Sequence, residues 1–377
     1  MTEKPSAEYR PELDGLRFFA FFAVFLHHAL AIEPSAWQRF GVPEPVAGWL
    51  ARAAIGGAYG VDLFFVLSAY LITYLLVTER ARTGRIDVPR FYIRRALRIW
   101  PLYFVFLLLT VEVAPWLIDE ALPASAAVCF WLFVGNWWIV ARGYPLSVAT
   151  VLWSVSIEEQ FYAVQPWLAR IVHGRRQWIA LVALLLAAAT AMRLVLISAG
   201  AGHPRIWCNT LARLDPIAAG ALAAILVPPR RWRPPPWSRA ALVAGGALGL
   251  LFAALCLPLD EDPFTFRQLI GYPLVAAACL AVLLGSLGST GVLTSRPLVY
   301  LGRISYGLYV FHTLGLQLAG QVSARLALAD GARTLAIKGS LGLLVTIGLA
   351  ALSYRYLERP FLRLKPKFSH VISRPEG

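Results

Sequence analysis

The stretch ELDGLRFFAFFAVFLHH, residues 12–28, opens with acids and an arginine and then runs apolar until two histidines. A bilayer-spanning helix excludes ionisable side chains unless something pairs or uses them. Arg17, His27 and His28 are therefore read as functional, and the rest of the chain as their housing. At 1.5 Å per residue, the steps from Arg17 to His28 cover about 16 Å, roughly half the hydrocarbon thickness. This reading puts His28 near the bilayer midplane and Arg17 near an interface.

Of the 377 residues, 58% are hydrophobic and 15% charged, against about 25% charged in ordinary soluble domains. The composition is that of an integral membrane protein. The net charge of +14 lies in short loops between apolar runs, so it reports topology and not a nucleic-acid partner. Cys129, Cys208, Cys256 and Cys279 are scattered without CxxC spacing. No disulfide framework and no metal site is expected from them. The first apolar run keeps its charges and lacks a small-residue cleavage site, so it is read as a retained span.

Eleven apolar runs follow one another, near 15–32, 57–78, 99–118, 126–141, 152–171, 177–199, 209–228, 238–257, 268–288, 300–320 and 336–357. Lys and Arg collect on the cytoplasmic side of short loops. The loop from Glu79 to Arg98, the linker PPRRWRPPPWSR (228–239) and the tail after Leu357 are basic, while Asp260, Glu261 and Asp262 share one loop. These signs alternate only with ten crossings. The predicted fold class is thus an all-α integral membrane protein of about ten transmembrane helices, with N- and C-termini cytoplasmic. One additional short helix, in AAVCFWLFVGNWWIV (126–140), is interfacial or re-entrant. A single membrane domain is expected over 1–377: N-terminus 1–14, bundle 15–357 with its linker at 229–239, and basic tail 358–377. Neither an internal repeat nor a soluble domain is expected.

Four further stretches carry residues a bilayer should not tolerate idly. GVDLFFVLSAYLIT (60–73) holds Asp62 and Ser68. FYIRRALRIWPLYF (91–104) brings Arg94, Arg95 and Arg98 to the cytoplasmic end of a span, flanked by Tyr92, Trp100 and Tyr103. Positions 95 and 98 share a helical face. A guanidinium pair there suits phosphate, although anchoring by the positive-inside rule and an aromatic belt would also produce this pattern. LWSVSIEEQFYAVQPWL (152–168) sets Glu158 and Glu159 among Trp153, Gln160, Tyr162 and Gln165. Adjacent helical residues point about 100° apart, so the two acids need different partners, Arg17 or Arg213 among them. LGRISYGLYVFHT (301–313) holds Arg303, Tyr306 and His312; His312 and the Glu358 of YRYLERPF (354–361) read as structural or interfacial.

Together these blocks resemble the acyltransferase-3 family of integral membrane acyl-CoA-dependent O-acyltransferases, from ELDGLR to ERPF. The family's arginine followed eleven positions later by histidine fits Arg17 and His28, and its RxxR fits Arg95 and Arg98. GVDLFFVLSAYLI, WSVSIEEQFY, RLDPIAAGALAA and RISYGLYVFH look like its other blocks. Ala69 departs where the family commonly has glycine, and Asp215 before Pro216 is a second local variation. The resemblance implies transfer of an acyl group, usually acetyl, from cytosolic acyl-CoA to a hydroxyl or amine. Acyl-CoA is then a co-substrate and no cofactor is bound permanently. The acceptor would be a carbohydrate, glycolipid or secondary metabolite, and the setting the cell inner (plasma) membrane with its lipids.

The implied site has His28 as general base or acyl carrier, since imidazole titrates near operating pH and can carry an acyl group. Arg17 is assigned to CoA or to charge developing on the thioester oxygen. Arg95 and Arg98, with Arg94, Tyr92 and Ser68, are assigned to acyl-CoA. Glu158 and Glu159 orient an imidazole or line the acceptor route. Asp14, Asp62, Trp153, Tyr162, Arg213, Tyr306 and His312 are assigned to the acceptor or to structure. The competing class is a secondary transporter for an anionic or carbohydrate substrate; a non-catalytic scaffold, in which the charges only pair, is the third.

Overall fold

The computed structural model describes residues 9–118, 121–227, 232, 234–257, 266–326 and 331–369, which form helices, turns and loops with no strand among them. The first helix, Pro11–Ala29, starts on a proline, whose missing N–H costs nothing at that position. It buries Leu13, Leu16, Ala20, Phe21, Val24 and Phe25, a spacing of three and four that makes one apolar face. Leu30 turns extended, and Glu33, held extended by Pro34, begins a new short helix. The helix therefore lies several residues earlier than the apolar run near 15–32. His28 falls in its last turn, not mid-helix.

The chain returns through Val46–Gly56, a tight turn at Gly57–Tyr59 and the Ser68 helix, Gly60–Thr83. A Cβ at Gly57 would strike the carbonyl of Ala23, and one at Gly60 the carbonyl of Ala20. Descending numbers against ascending ones make the two helices antiparallel at backbone contact, the small-residue packing typical of membrane helices. The arginine helix, Val88–Glu112, is capped by Asp87, which accepts from the Arg90 N–H at 3.1 Å.

The aromatic segment 126–140 breaks into Ala124–Trp131 and Gly135–Arg142 at Phe133, which has φ 56°. Each piece is about 12 Å long, less than half the hydrocarbon thickness. The glutamate helix, Leu152–Ile171, follows, then Arg175–Ser198. The run expected near 209–228 is shorter than it read. Only Leu214–Leu226 is α-helical, about 20 Å long, because an irregular segment at 199–210 takes up the chain before it. Gly220 of this short helix faces the Ser68 helix, where an added Cβ would lie 2.8 Å from the Ala69 methyl. The space that glycine commonly supplies at position 69 is supplied here from the opposite helix.

Pro236–Cys256, Phe266–Ser286, the Tyr309 helix Ser305–Arg325, and Ala332–Ser353 complete the bundle. Among the described residues, five helical stretches are long and apolar enough to cross a membrane by length and composition: Val46–Thr83, Arg175–Ser198, Pro236–Cys256, Arg267–Ser286 and Ala332–Phe368. The first, arginine, glutamate and Tyr309 helices are of similar length but carry the polar and charged side chains of the site. Arg230, Arg231 and Arg233 of the basic linker, the acids at 260–262 and the tail beyond 369 lie outside the described residues.

Candidate active site

Two of the cavities among the described residues adjoin one another, and Val61 and Tyr309 line both. The smaller, of about 100 Å³, is bordered by Arg17, Arg95, Arg98, Ser68, Glu158 and Tyr162, among others. The larger, of about 450 Å³, is bordered by His27, His28, Tyr144, Trp153, His203 and Trp207, among others. Tyr309 closes the space between them. Its hydroxyl hydrogen-bonds the Ser154 hydroxyl at 2.6 Å and donates to the Val151 carbonyl at 3.2 Å.

The arginine cavity gathers residues from five helices. Arg95 and Arg98 reach it together because they are one helical turn apart. Arg17 pairs with Asp14 at 3.3 Å, and Asp14 also accepts from the Tyr9 hydroxyl at 2.8 Å. Glu158 accepts from Ser68 at 2.8 Å and Tyr162 at 3.2 Å. Three guanidinium groups against one carboxylate leave the cavity positive, the balance that suits a polyphosphate. Tyr306 borders it too, donating to the Ile99 carbonyl at 3.1 Å.

Arg94 is not part of this group. It bonds Glu79 at 2.8 Å and the Phe368 carbonyl at 2.7 Å, because the next residue in a helix points to another side. Tyr92 also stays outside, donating to the Ala163 carbonyl at 2.6 Å and accepting from the Trp167 indole at 2.9 Å. Glu159 diverges from Glu158 as the 100° step requires, accepting from the Trp100 indole at 3.0 Å. Neither glutamate touches an imidazole, and neither pairs with Arg213.

In the histidine cavity, His28 is exposed to the open space while His312 is fully buried behind it. His28 Nδ1 lies 2.9 Å from the Val24 carbonyl and 3.3 Å from His312 Nε2. His312 Nδ1 lies 2.5 Å from the Tyr309 carbonyl. Carbonyl oxygens only accept, so each Nδ1 carries a proton. His312 Nε2 is then the acceptor that shares the His28 Nδ1–H, and this network assigns the free lone pair to His28 Nε2. His27 Nδ1 instead faces the Ala54 carbonyl at 3.2 Å and has no second imidazole beyond it on that nitrogen. His312, read from sequence as structural or interfacial, is thus brought into the site.

Asp62 is fully buried against Arg213 at 2.9 Å, an ion contact poorly aligned for a hydrogen bond. Beside it, Arg193 makes a bidentate pair with Asp215. Arg213 also stacks 4.1 Å from the Trp207 ring centroid, so this charge cluster braces the histidine cavity from behind. Trp153 enters the same wall, 5.9 Å from Trp207 between ring centroids.

Sequence reading missed Tyr144, His203, Trp207 and Tyr309. The first three lie in connecting segments, where no periodicity reports which side chains turn inward. What fixes the 199–210 segment is a polar knot: Gln160 donates to Asn136 at 2.8 Å, and Asn136 donates to the Cys208 carbonyl at 3.0 Å and to Thr210 at 2.9 Å. The broken helices at 124–142 therefore hold the loop that carries His203 and Trp207.

Residues 10–355 match the acyltransferase-3 model of an acyltransferase domain, nearly the whole chain. The chain belongs to the acyltransferase-3 family. It is 27% identical to the O-acetyltransferase OatA of Staphylococcus aureus, over 94% of this chain and 57% of that protein. It is also 27% identical to the peptidoglycan O-acetyltransferase OatA of Listeria monocytogenes, over 95% of this chain and 57% of that protein. The chain thus spans a little over half the length of these acyltransferase-3 relatives. No solved structure matches it. Within this acyltransferase-3 chain, Arg17, Arg95 and Arg98 border one cavity and His28 borders the other.

Proposed function

We propose that the protein transfers an acetyl group from acetyl-CoA, held at the arginine cavity, to a hydroxyl of a carbohydrate acceptor in the histidine cavity. The observation that carries this reading is the pair of cavities, one positive and one bearing His28, divided only by Val61, Tyr309 and their neighbours. The names of the relatives support O-acetylation of a glycan. In the reaction, the acceptor hydroxyl gives its proton to His28 Nε2, and its oxygen attacks the thioester carbonyl. The tetrahedral intermediate collapses as the C–S bond breaks, and CoA leaves as thiolate that takes up the proton. His312 Nε2, accepting the His28 Nδ1–H, holds the ring as the imidazolium forms. If His28 carries the acyl group transiently, the same Nε2 is the nucleophile and the ester forms in a second step.

The donor side follows from charge. Arg80, Arg82 and Arg85 sit at the end of the Ser68 helix that abuts the start of the first helix, and positive loops stay cytoplasmic. On this reading the arginine cavity is served from that side and the histidine cavity from the other. In sealed vesicles of defined orientation with acetyl-CoA on one face, acetyl ester should form only with donor at the cytoplasmic face. Equal product with donor on either face would overturn the sidedness, and no CoA release with any carbohydrate acceptor would overturn the reaction.

For the donor contacts, Arg95→Ala and Arg98→Ala should each weaken CoA binding by about 1 to 3 kcal/mol, as charge-assisted hydrogen bonds are lost. Arg94→Ala, which removes a contact to Glu79 outside the cavity, should leave CoA affinity in place. Calorimetric titration of the purified variants reads both results.

A further inference from the structure

The two cavities differ in charge more than in shape. Three guanidinium groups and a carboxylate border the donor side. No carboxylate, guanidinium or ammonium group among the described residues borders the histidine cavity. Its polar groups are imidazoles, hydroxyls and indoles. Arg213, directly behind Trp207, is neutralised by Asp62 and does not border the space. An ionised ligand would have to shed its hydration there without a counter-ion, which costs several kcal/mol.

Part of the wall, contributed by Tyr144, Trp153, His203 and Trp207, is aromatic and hydroxyl-bearing. The Trp207 ring lies 5.9 Å from that of Trp153 and 6.3 Å from that of His203, between centroids. The Tyr144 hydroxyl lies 3.3 Å from His203 Nε2. Flat apolar surface beside a few fixed hydrogen-bonding groups is the pattern of a small-molecule pocket. A pyranose ring matches it, with C–H faces for the aromatic rings and hydroxyls for Tyr144 and His203.

We infer that the histidine cavity is a subsite for an uncharged pyranose, with Trp153 and Trp207 taking the ring face and Tyr144 and His203 binding its hydroxyls. The inference rests on the acyl transfer proposed above and narrows its acceptor: a neutral sugar hydroxyl is taken, while a uronate or a protonated amino sugar is refused. It also settles the choice between hydroxyl and amine that the sequence leaves open. A free amine enters such a cavity only after losing its proton, whereas a hydroxyl enters neutral and gives its proton to His28 Nε2 within the cavity.

The test uses the purified full chain in lipid nanodiscs with acetyl-CoA and three acceptors at pH 6.5: methyl N-acetylglucosaminide, methyl glucuronide and methyl glucosaminide. The neutral glycoside should be acetylated with kcat/KM at least about 100-fold above the glucuronide, and above the glucosaminide by about the ratio of that sugar's protonated to its neutral form at this pH. Tyr144→Phe and His203→Phe should each raise the KM for the neutral glycoside up to about tenfold, the loss of one hydrogen bond, with CoA affinity unmoved. Glucuronide or glucosaminide used as well as the neutral sugar would overturn the subsite. So would both variants keeping the original KM. Absence of CoA release with all three acceptors would instead bring down the acyl-transfer reading, and the subsite with it.

Discussion

His28→Ala lowers acyl transfer by about 100- to 10,000-fold, the range that a positioned general base contributes, and leaves the protein folded and inserted. The side chain is exposed to the cavity and packs no core, so its loss removes chemistry without removing structure. His27→Ala, one residue earlier, keeps measurable activity, because its Nδ1 rests on the Ala54 carbonyl with no imidazole partner behind it. His312→Phe falls between the two. It removes the acceptor for the His28 Nδ1–H, so kcat drops about tenfold while both KM values hold. His312→Gln, which can place an acceptor at the same reach, restores most of that loss. Steady-state kinetics on the four variants, with gel filtration as the check on folding, reads the series. If His27→Ala were the inactive one, the assignment of the base would be wrong.

Asp62→Ala destabilises the protein by about 3 to 5 kcal/mol, the cost of leaving one member of a buried ion pair without its partner. Both side chains are essentially inaccessible, and the Arg213 guanidinium would then face only the rings of Trp207 and Tyr272 and the neighbouring Asp215, which Arg193 already engages. Removing both charges at once, in Asp62→Leu with Arg213→Met, recovers most of the stability, since an apolar pair of similar volume leaves nothing to desolvate. Thermal unfolding in detergent micelles measures both variants. A single variant within about 1 kcal/mol of the parent would mean that Asp62 carries no net electrostatic load.

The all-helical membrane architecture and the arginine cavity were legible in the sequence, because a charge in an apolar run is costly and therefore informative. Arg95 and Arg98 reach one cavity as their spacing suggests, and Arg17 and Ser68 border it too; Glu158, assigned from sequence to an imidazole or the acceptor route, lies with them instead. Arg94 and Tyr92 do not, since neighbours in a helix turn to different sides. The histidine site was half legible. His28 is conspicuous in the first helix, but its partner lies 284 positions away, and local patterning is blank to such distances. Asp62 with Arg213 shows the same limit, as do Tyr144, His203 and Trp207. The position of His28 along its helix was misjudged because hydropathy continues through Leu30, Ala31 and Ile32, whereas the backbone has already left the helix ahead of Pro34.

The closure formed by Tyr309, Ser154 and Val61 has an electrical consequence. With a solvated vestibule on each side, most of the membrane voltage falls across that thin septum and not across the full hydrocarbon depth. Each elementary charge carried through 100 mV would exchange about 2.3 kcal/mol with the field. In the proposed reaction the acetyl group passes the septum as an acyl-cation equivalent, leaving the thiolate, and the hydroxyl proton passes back to that thiolate, so no net charge crosses while the CoA phosphates stay with the arginines. On that proposal turnover is insensitive to membrane potential, and two compartments are joined chemically while staying insulated.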